Sequence, residues 1–134
     1  MLVRLTPQRG GDGTIRRITI INDTGSSNMT LFDTDLALLG NSDDYEDWLG
    51  PVTVRDASGG KKTYERLRVQ VQLVRDDYSP WSDWIKEYAV VKPASQGVPR
   101  LSGQGIREAL YMGTAPGNHV LAVATTKGGM TSLL

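Results

Sequence analysis

Between residues 64 and 74 apolar and polar side chains alternate, from Tyr64-Glu65-Arg66-Leu67-Arg68 through Val69-Gln70-Val71-Gln72-Leu73. A period of two suits a strand with one buried face and rules out an amphipathic helix over the same stretch. Val69, Val71 and Leu73 fall on one side of that strand. A shorter alternating run at 52–55 precedes it, and Asp56-Ala57-Ser58-Gly59-Gly60 between the two is turn chemistry, so 52–74 reads as a long β-hairpin with a glycine tip. An isolated hairpin is marginal in water and needs other strands to cover its apolar face. The chain offers them at 2–5, at 15–21 with its four isoleucines, at 84–91 and at 119–124.

Helical signals are few. Residues 32–39 read as a short helix, with Asp33 as cap, Asp35 in the first turn where the dipole favours a negative charge, and Gly40 after the last apolar residue. Ile106, Ala109 and Leu110 have the i, i+3, i+4 spacing of a second helix at 106–112, with Gly113 as its stop. The segment Gly10-Gly11-Asp12-Gly13, the cluster at 22–28 and the stretches 41–47, 76–83 and 93–99 read as turns and loops. No segment repeats and none has the composition of a long linker. The expectation is an all-β fold with one or two short helices, closed into a barrel or stacked as a sandwich, with 1–134 as a single domain.

Composition narrows the chemistry. At 134 residues a chain buries about two-thirds of the surface it exposes when unfolded, so its core can stand without a staple. It has no Cys, which removes thiolate catalysis, Cys-based zinc sites and disulfides, and one His, His119, which removes a multi-histidine metal centre within one chain. Fifteen basic and fifteen acidic residues cancel, so no excess charge draws the chain to nucleic acid or to anionic lipid, and self-association is unopposed. Residues 1–13 lack the apolar stretch of a signal peptide, and no apolar run approaches the ~20 residues of a membrane span. Neither nucleic acid nor a membrane is expected as a partner, and the expected location is the cytoplasm or a longer polyprotein.

Asp23-Thr24-Gly25 follows directly on the isoleucine-rich strand. The triplet has two readings. Asp and Gly are ordinary turn residues. They are also what acid proteolysis needs: a carboxylate at a rigid strand end, a small residue where substrate and backbone approach, and a hydroxyl to tie the loop down.

The surrounding order of elements resembles the retropepsin-like aspartic proteases of retroviruses and long-terminal-repeat retrotransposons. Asp23-Thr24-Gly25-Ser26-Ser27-Asn28 is similar to that family's active-site loop, and the following helix ends in Leu39-Gly40 as such helices often do. Residues 52–74 resemble the flap hairpin with its tip at Gly59-Gly60, and Leu101-Ser102-Gly103 before 106–112 resembles the hydrophobic-hydrophobic-Gly and helix near the family's C-terminal end. Asn22 and Ser102 stand where the family carries apolar residues, and 76–83 is longer than the usual connection.

The resemblance implies a closed acid-protease barrel with a flap hairpin, and an aspartic endopeptidase that acts on peptide or polyprotein substrates. Asp23 would be the catalytic carboxylate, Thr24 and Gly25 would support the active-site loop, and Ser58, Gly59 and Gly60 of the flap would close over an extended peptide. Water is the nucleophile in this chemistry, so no metal or organic cofactor is implied. The mechanism needs two carboxylates sharing one proton. Asp33-Thr34-Asp35 lacks the glycine and Asp56-Ala57-Ser58-Gly59 lies in the hairpin, so one chain supplies half a site and a homodimer is implied, tied by strands from both chain ends. The alternative is a catalytically inactive retropepsin-like module for dimerisation or peptide binding.

Other residues read more plainly. Asn22-Asp23-Thr24 and Asn28-Met29-Thr30 fit a glycosylation pattern, although a glycan on Asn22 would abut Asp23. His119 has no G-x-S-x-G elbow to serve, Gly10-Gly11-Asp12-Gly13 lacks the ending of a phosphate loop, and 43–47 reads as a solvated acidic turn rather than a Ca²⁺ loop. Lys61, Lys62, Arg66 and Arg68 make the hairpin basic without the interleaved aromatic spacing of a nucleic-acid platform. Tyr78, Trp81 and Trp84 are either core anchors or an exposed rim.

Overall fold

A computed structural model describes residues 1–40, 42–117 and 119–134. The expected loop at 41–47 is described from residue 42 onward, and residue 41 lies outside the described residues. The strands β1 (Leu2–Arg4), β2 (Ile15–Arg17), β3 (Met29–Phe32), β4 (Trp48–Arg55), β5 (Lys61–Gln72) and β6 (Ile85–Lys92) form a six-stranded sheet in the order β2-β1-β5-β6-β3, with β4 joined to β5. The alternation read from sequence places β5 at the centre. Its first half pairs antiparallel with β4 from Lys61 to Leu67, and its second half pairs with β6 from Arg66 to Val71 and with β1 from Gln70 to Gln72. Leu67, Val69 and Val71 are each 0% exposed, and burying such a side chain contributes about 1.5–3 kcal/mol. With Val3, Leu5, Met29, Leu31, Leu39 and Ala89 they form the core.

The mostly β architecture agrees with the expectation. The closed barrel does not form among the described residues: the sheet runs open from β2 to β3. The chain between these end strands is committed elsewhere, because Ile21 bridges Leu101 in parallel. β3 was not anticipated. All four of its residues are buried and it pairs in parallel with β6, and a strand covered on both faces shows no alternation.

The helices also depart in detail. α1 (Asp33–Ala37) is shorter than expected, and its cap residue is Phe32 rather than Asp33, whose Oδ1 instead accepts from the Thr34 and Ala94 amides. α2 spans Gln104–Ala109, because Leu110 leaves in extended conformation and β7 (Tyr111–Gly113) pairs with β8 (Ala122–Ala124). Tertiary pairing thus ends the helix before Leu110, the last residue of the helical spacing. α3 (Lys127–Leu133) exceeds the expected one or two helices. Its Gly128-Gly129 opposes helix formation, but the Thr126 Oγ1 caps the Gly129 amide and Met130 packs into the interior. No helix among the described residues is long and apolar enough to cross a membrane.

Candidate active site

Asp23 sits on the segment between β2 and β3, which a second segment from the far end of the chain pins down. The Ile21 amide donates to the Arg100 carbonyl at 2.8 Å, the Ser102 amide to the Ile21 carbonyl at 2.8 Å, and the Thr30 amide to the Leu101 carbonyl at 2.9 Å. Residues 100–102 therefore lie between the two sides of the Asp23 loop.

Two side chains complete the brace. Ser102 is 1% exposed; its Oγ accepts the Asp23 amide at 2.9 Å and donates to the Asn22 Oδ1 at 3.4 Å. Arg107 of α2 donates through Nη1 to the Asp23 carbonyl at 2.7 Å and through Nη2 to the Ser26 carbonyl. The Asp23 carboxylate uses one oxygen within the loop, where Oδ1 accepts the Gly25 amide at 2.9 Å. Oδ2 has no hydrogen-bond partner among the described residues. Thr24 and Gly25 are exposed. The loop is thus fixed from behind and open in front.

α2 is itself fixed by a buried carboxylate. Glu87 on β6 is 0% exposed and accepts the Gly105 amide at 2.9 Å, the Ile106 amide at 3.0 Å and the Tyr88 amide at 3.0 Å. A Cβ on Gly103 would stand 2.5 Å from Glu87 Oε1, and one on Gly105 would stand 2.3 Å from the Lys86 carbonyl oxygen. The two glycines let α2 approach β6 closely enough for this cap.

The β4–β5 hairpin overhangs Asp23. Together they line a cleft of about 470 Å³ whose hairpin side is Val54, Arg55, Asp56, Ala57, Lys62 and Tyr64, with Lys92 at the end of β6. Ser58, Gly59 and Gly60 form the tip and are not among the cleft-lining residues. Asp56 Oδ1 accepts from the Ser58 hydroxyl at 2.7 Å, the Gly60 amide at 2.8 Å and the Ser58 amide at 3.0 Å. The Ser58 hydroxyl, followed by the Gly60 amide, holds the Asp56 carboxyl below its ordinary range. Gly59 has φ +86°, a conformation in which a side chain is strained.

The contiguous triplet and the hairpin were anticipated, and the fold brings them together. Arg107, Glu87 and the contact between Asn22 and Ser102 were not. The one available signal is that Asn22 and Ser102, where the resemblance leads one to expect apolar residues, are both polar, and a buried polar group requires a partner. His119 is exposed and takes no part in the cleft. Among the described residues no cluster of three His, Asp or Glu side chains is arranged to hold a metal ion. No protein-family model, curated protein or solved structure matches the chain.

Proposed function

We propose that this chain is one half of a homodimeric aspartic endopeptidase of the retropepsin type, with Asp23 as the catalytic carboxylate of each half. The observation that carries the reading is the Asp23 loop itself. Its backbone is held by Ser102 and Arg107, while one carboxylate oxygen is unbonded beside a cleft overhung by a glycine-tipped hairpin. The exposed Thr24 and Gly25 leave a face on which a second copy can bring its own Asp23 close.

Two such carboxylates cannot both ionise, so the pair holds one proton between them. The ionised member takes a proton from water as it attacks the peptide carbonyl, and the protonated member donates to the carbonyl oxygen. Collapse of the tetrahedral intermediate returns a proton to the leaving nitrogen. Thr24 would brace the pair across the two-fold axis. The hairpin would close over an extended peptide and exclude water, and the reaction draws on no cofactor.

Cleavage of a diverse peptide library from acid to neutral pH tests this. The purified chain is expected to cleave in the acid range, with activity per chain falling on dilution as the dimer separates. Asp23→Asn removes both carboxylates of the dimeric site at once and is expected to abolish turnover, with an unchanged circular dichroism spectrum. A chain that cleaves no peptide, or a dimer with its two Asp23 carboxylates far apart, overturns the reading in favour of an inactive peptide-binding module.

A further inference from the structure

The chain has no net charge, yet its cations are not evenly spread. On β5 the core face carries Leu67, Val69 and Val71, and the opposite face carries Lys62, Tyr64, Arg66 and Arg68. This face continues beyond the Asp23 cleft. A second cavity shares Gly25, Arg55 and Lys92 with the cleft, and a third shares Ser27 and Asn28 with the second and ends at Arg66, Arg68 and Tyr88. The three form one groove leading from Asp23 along the underside of the hairpin.

Five cations line that groove: Lys62, Arg55, Lys92, Arg66 and Arg68. Besides Asp23 at one end, the groove's two carboxylates already accept hydrogen bonds. Asp56 is bound to the hairpin tip, and Glu108 accepts from the Gln104 Nε2 at 2.7 Å. The Arg66 side chain makes no hydrogen bond or ion pair among the described residues, and its buried Nε lacks an acceptor, as does the Nε of Arg68. Arg68 reaches Asp47 only at 3.6 Å.

We propose that this groove selects extended peptides with acidic side chains at alternate positions on one side of the scissile bond, an assignment of substrate class that rests on the peptidase reading above. Alternate residues of an extended chain face the same wall, and Lys62, Arg66 and Arg68 stand on one face of β5 with Tyr64 between the first two. The aromatic rings argue for peptide over nucleic acid. Lys92 lies over the Tyr64 ring at 5.3 Å, and Arg66 and Arg68 lie over Tyr88 at 5.5 and 5.3 Å, so these faces are covered by cations where base stacking would need them open.

Binding to the Asp23→Asn protein separates selection from catalysis. Fluorescein-labelled peptides of alternating Glu and Ala, Gln and Ala, or Lys and Ala are compared by anisotropy at low and high salt, with an oligothymidylate as a fourth probe. The Glu peptide is expected to bind about tenfold more tightly than the Gln peptide, the combined effect of several partly exposed pairs, and to lose that advantage in high salt. Arg66→Glu and Lys92→Glu are expected to shift preference toward the Lys peptide, a gain that an unfolded variant cannot show. Equal binding of the Glu and Gln peptides, or tighter binding of oligothymidylate, to the Asp23→Asn protein with its groove otherwise unaltered overturns the proposal. Cleavage of peptides regardless of charge would sink the groove and leave the peptidase standing. Glu-peptide selection in a chain that cleaves nothing would do the reverse.

Discussion

Ser102 joins the two ends of the site within one hydroxyl. It accepts the Asp23 amide and donates toward Asn22, so Ser102→Ala leaves a part-buried amide without its acceptor, at a cost of about 1–3 kcal/mol. Urea unfolding is expected to register that loss, and the variant is expected to lose more activity than its folded fraction explains. Asp35 shows the same logic with charge. It is 0% exposed and accepts from Arg100 at 2.7 and 2.8 Å, Arg16 at 2.8 Å and the Phe32 amide at 3.0 Å. Burial, the largest influence, opposes its ionisation; Arg100, the Phe32 amide and Arg16 together outweigh it and hold the carboxyl below its ordinary value of 3.8. A lowered folded value means that the contribution is fully present above the unfolded value and is lost as pH falls through the folded one. The contribution of Asp35 is therefore expected to hold through mildly acidic pH and to be lost as pH falls below about 3.8. Arg100→Ala, which leaves the buried charge with Arg16 as its one remaining cation, is expected to cost about 3 kcal/mol at neutral pH. Thermal melts across a pH series check both statements. Asp23-Thr24-Gly25 was legible because its parts are contiguous. Ser102 and Arg107 were not, since they act on backbone groups 79 and 84 residues away, and a backbone acceptor leaves no mark in a sequence.

At the scale of elements, legibility followed exposure. β5 declares itself because from Leu67 onward alternate residues are buried and half-buried, and β4 follows with a weaker alternation of half-buried and exposed residues, whereas β3 is buried throughout and resembles any short apolar run. The register of α2 was hidden for another reason: its start is set by Glu87 on β6, not by a local cap. The same arrangement makes α2 intolerant of even one methyl group at its first turn. Gly105→Ala would drive a Cβ to 2.3 Å from the Lys86 carbonyl, a backbone atom of a central strand that cannot rotate away. Overpacking of this kind costs about 3 kcal/mol. Denaturant midpoints are expected to drop accordingly, and Arg107 is expected to lose its hold on the Asp23 loop as α2 moves outward.

For the whole molecule, the single Asp-Thr-Gly calls for a dimer on the proposed peptidase reading, while the open course of the sheet could not be read, because closure depends on where the 18–28 segment spends its hydrogen bonds. The exposed front of the loop gives the dimer a direct test. Thr24→Arg places a bulky charge on an exposed residue and is expected to leave monomer stability within about 0.5 kcal/mol. In sedimentation it should shift the protein to a monomer, and cleavage should vanish. Retention of a dimer in that variant would mean that the subunits meet by another face.

The clamps on the Asp23 loop also set an order of events during synthesis. Ser102 and Arg107 emerge from the ribosome long after Asp23, separated from their partners by 79 to 84 residues. At about 5–20 residues per second, several seconds pass in which the carboxylate exists on an untethered loop. A nascent or truncated chain that ends before α2 thus carries the reactive residue without the frame that aims it. On the proposed peptidase reading, proteolytic competence would arrive only with residues 102–107, after all six strands of the main sheet have been made.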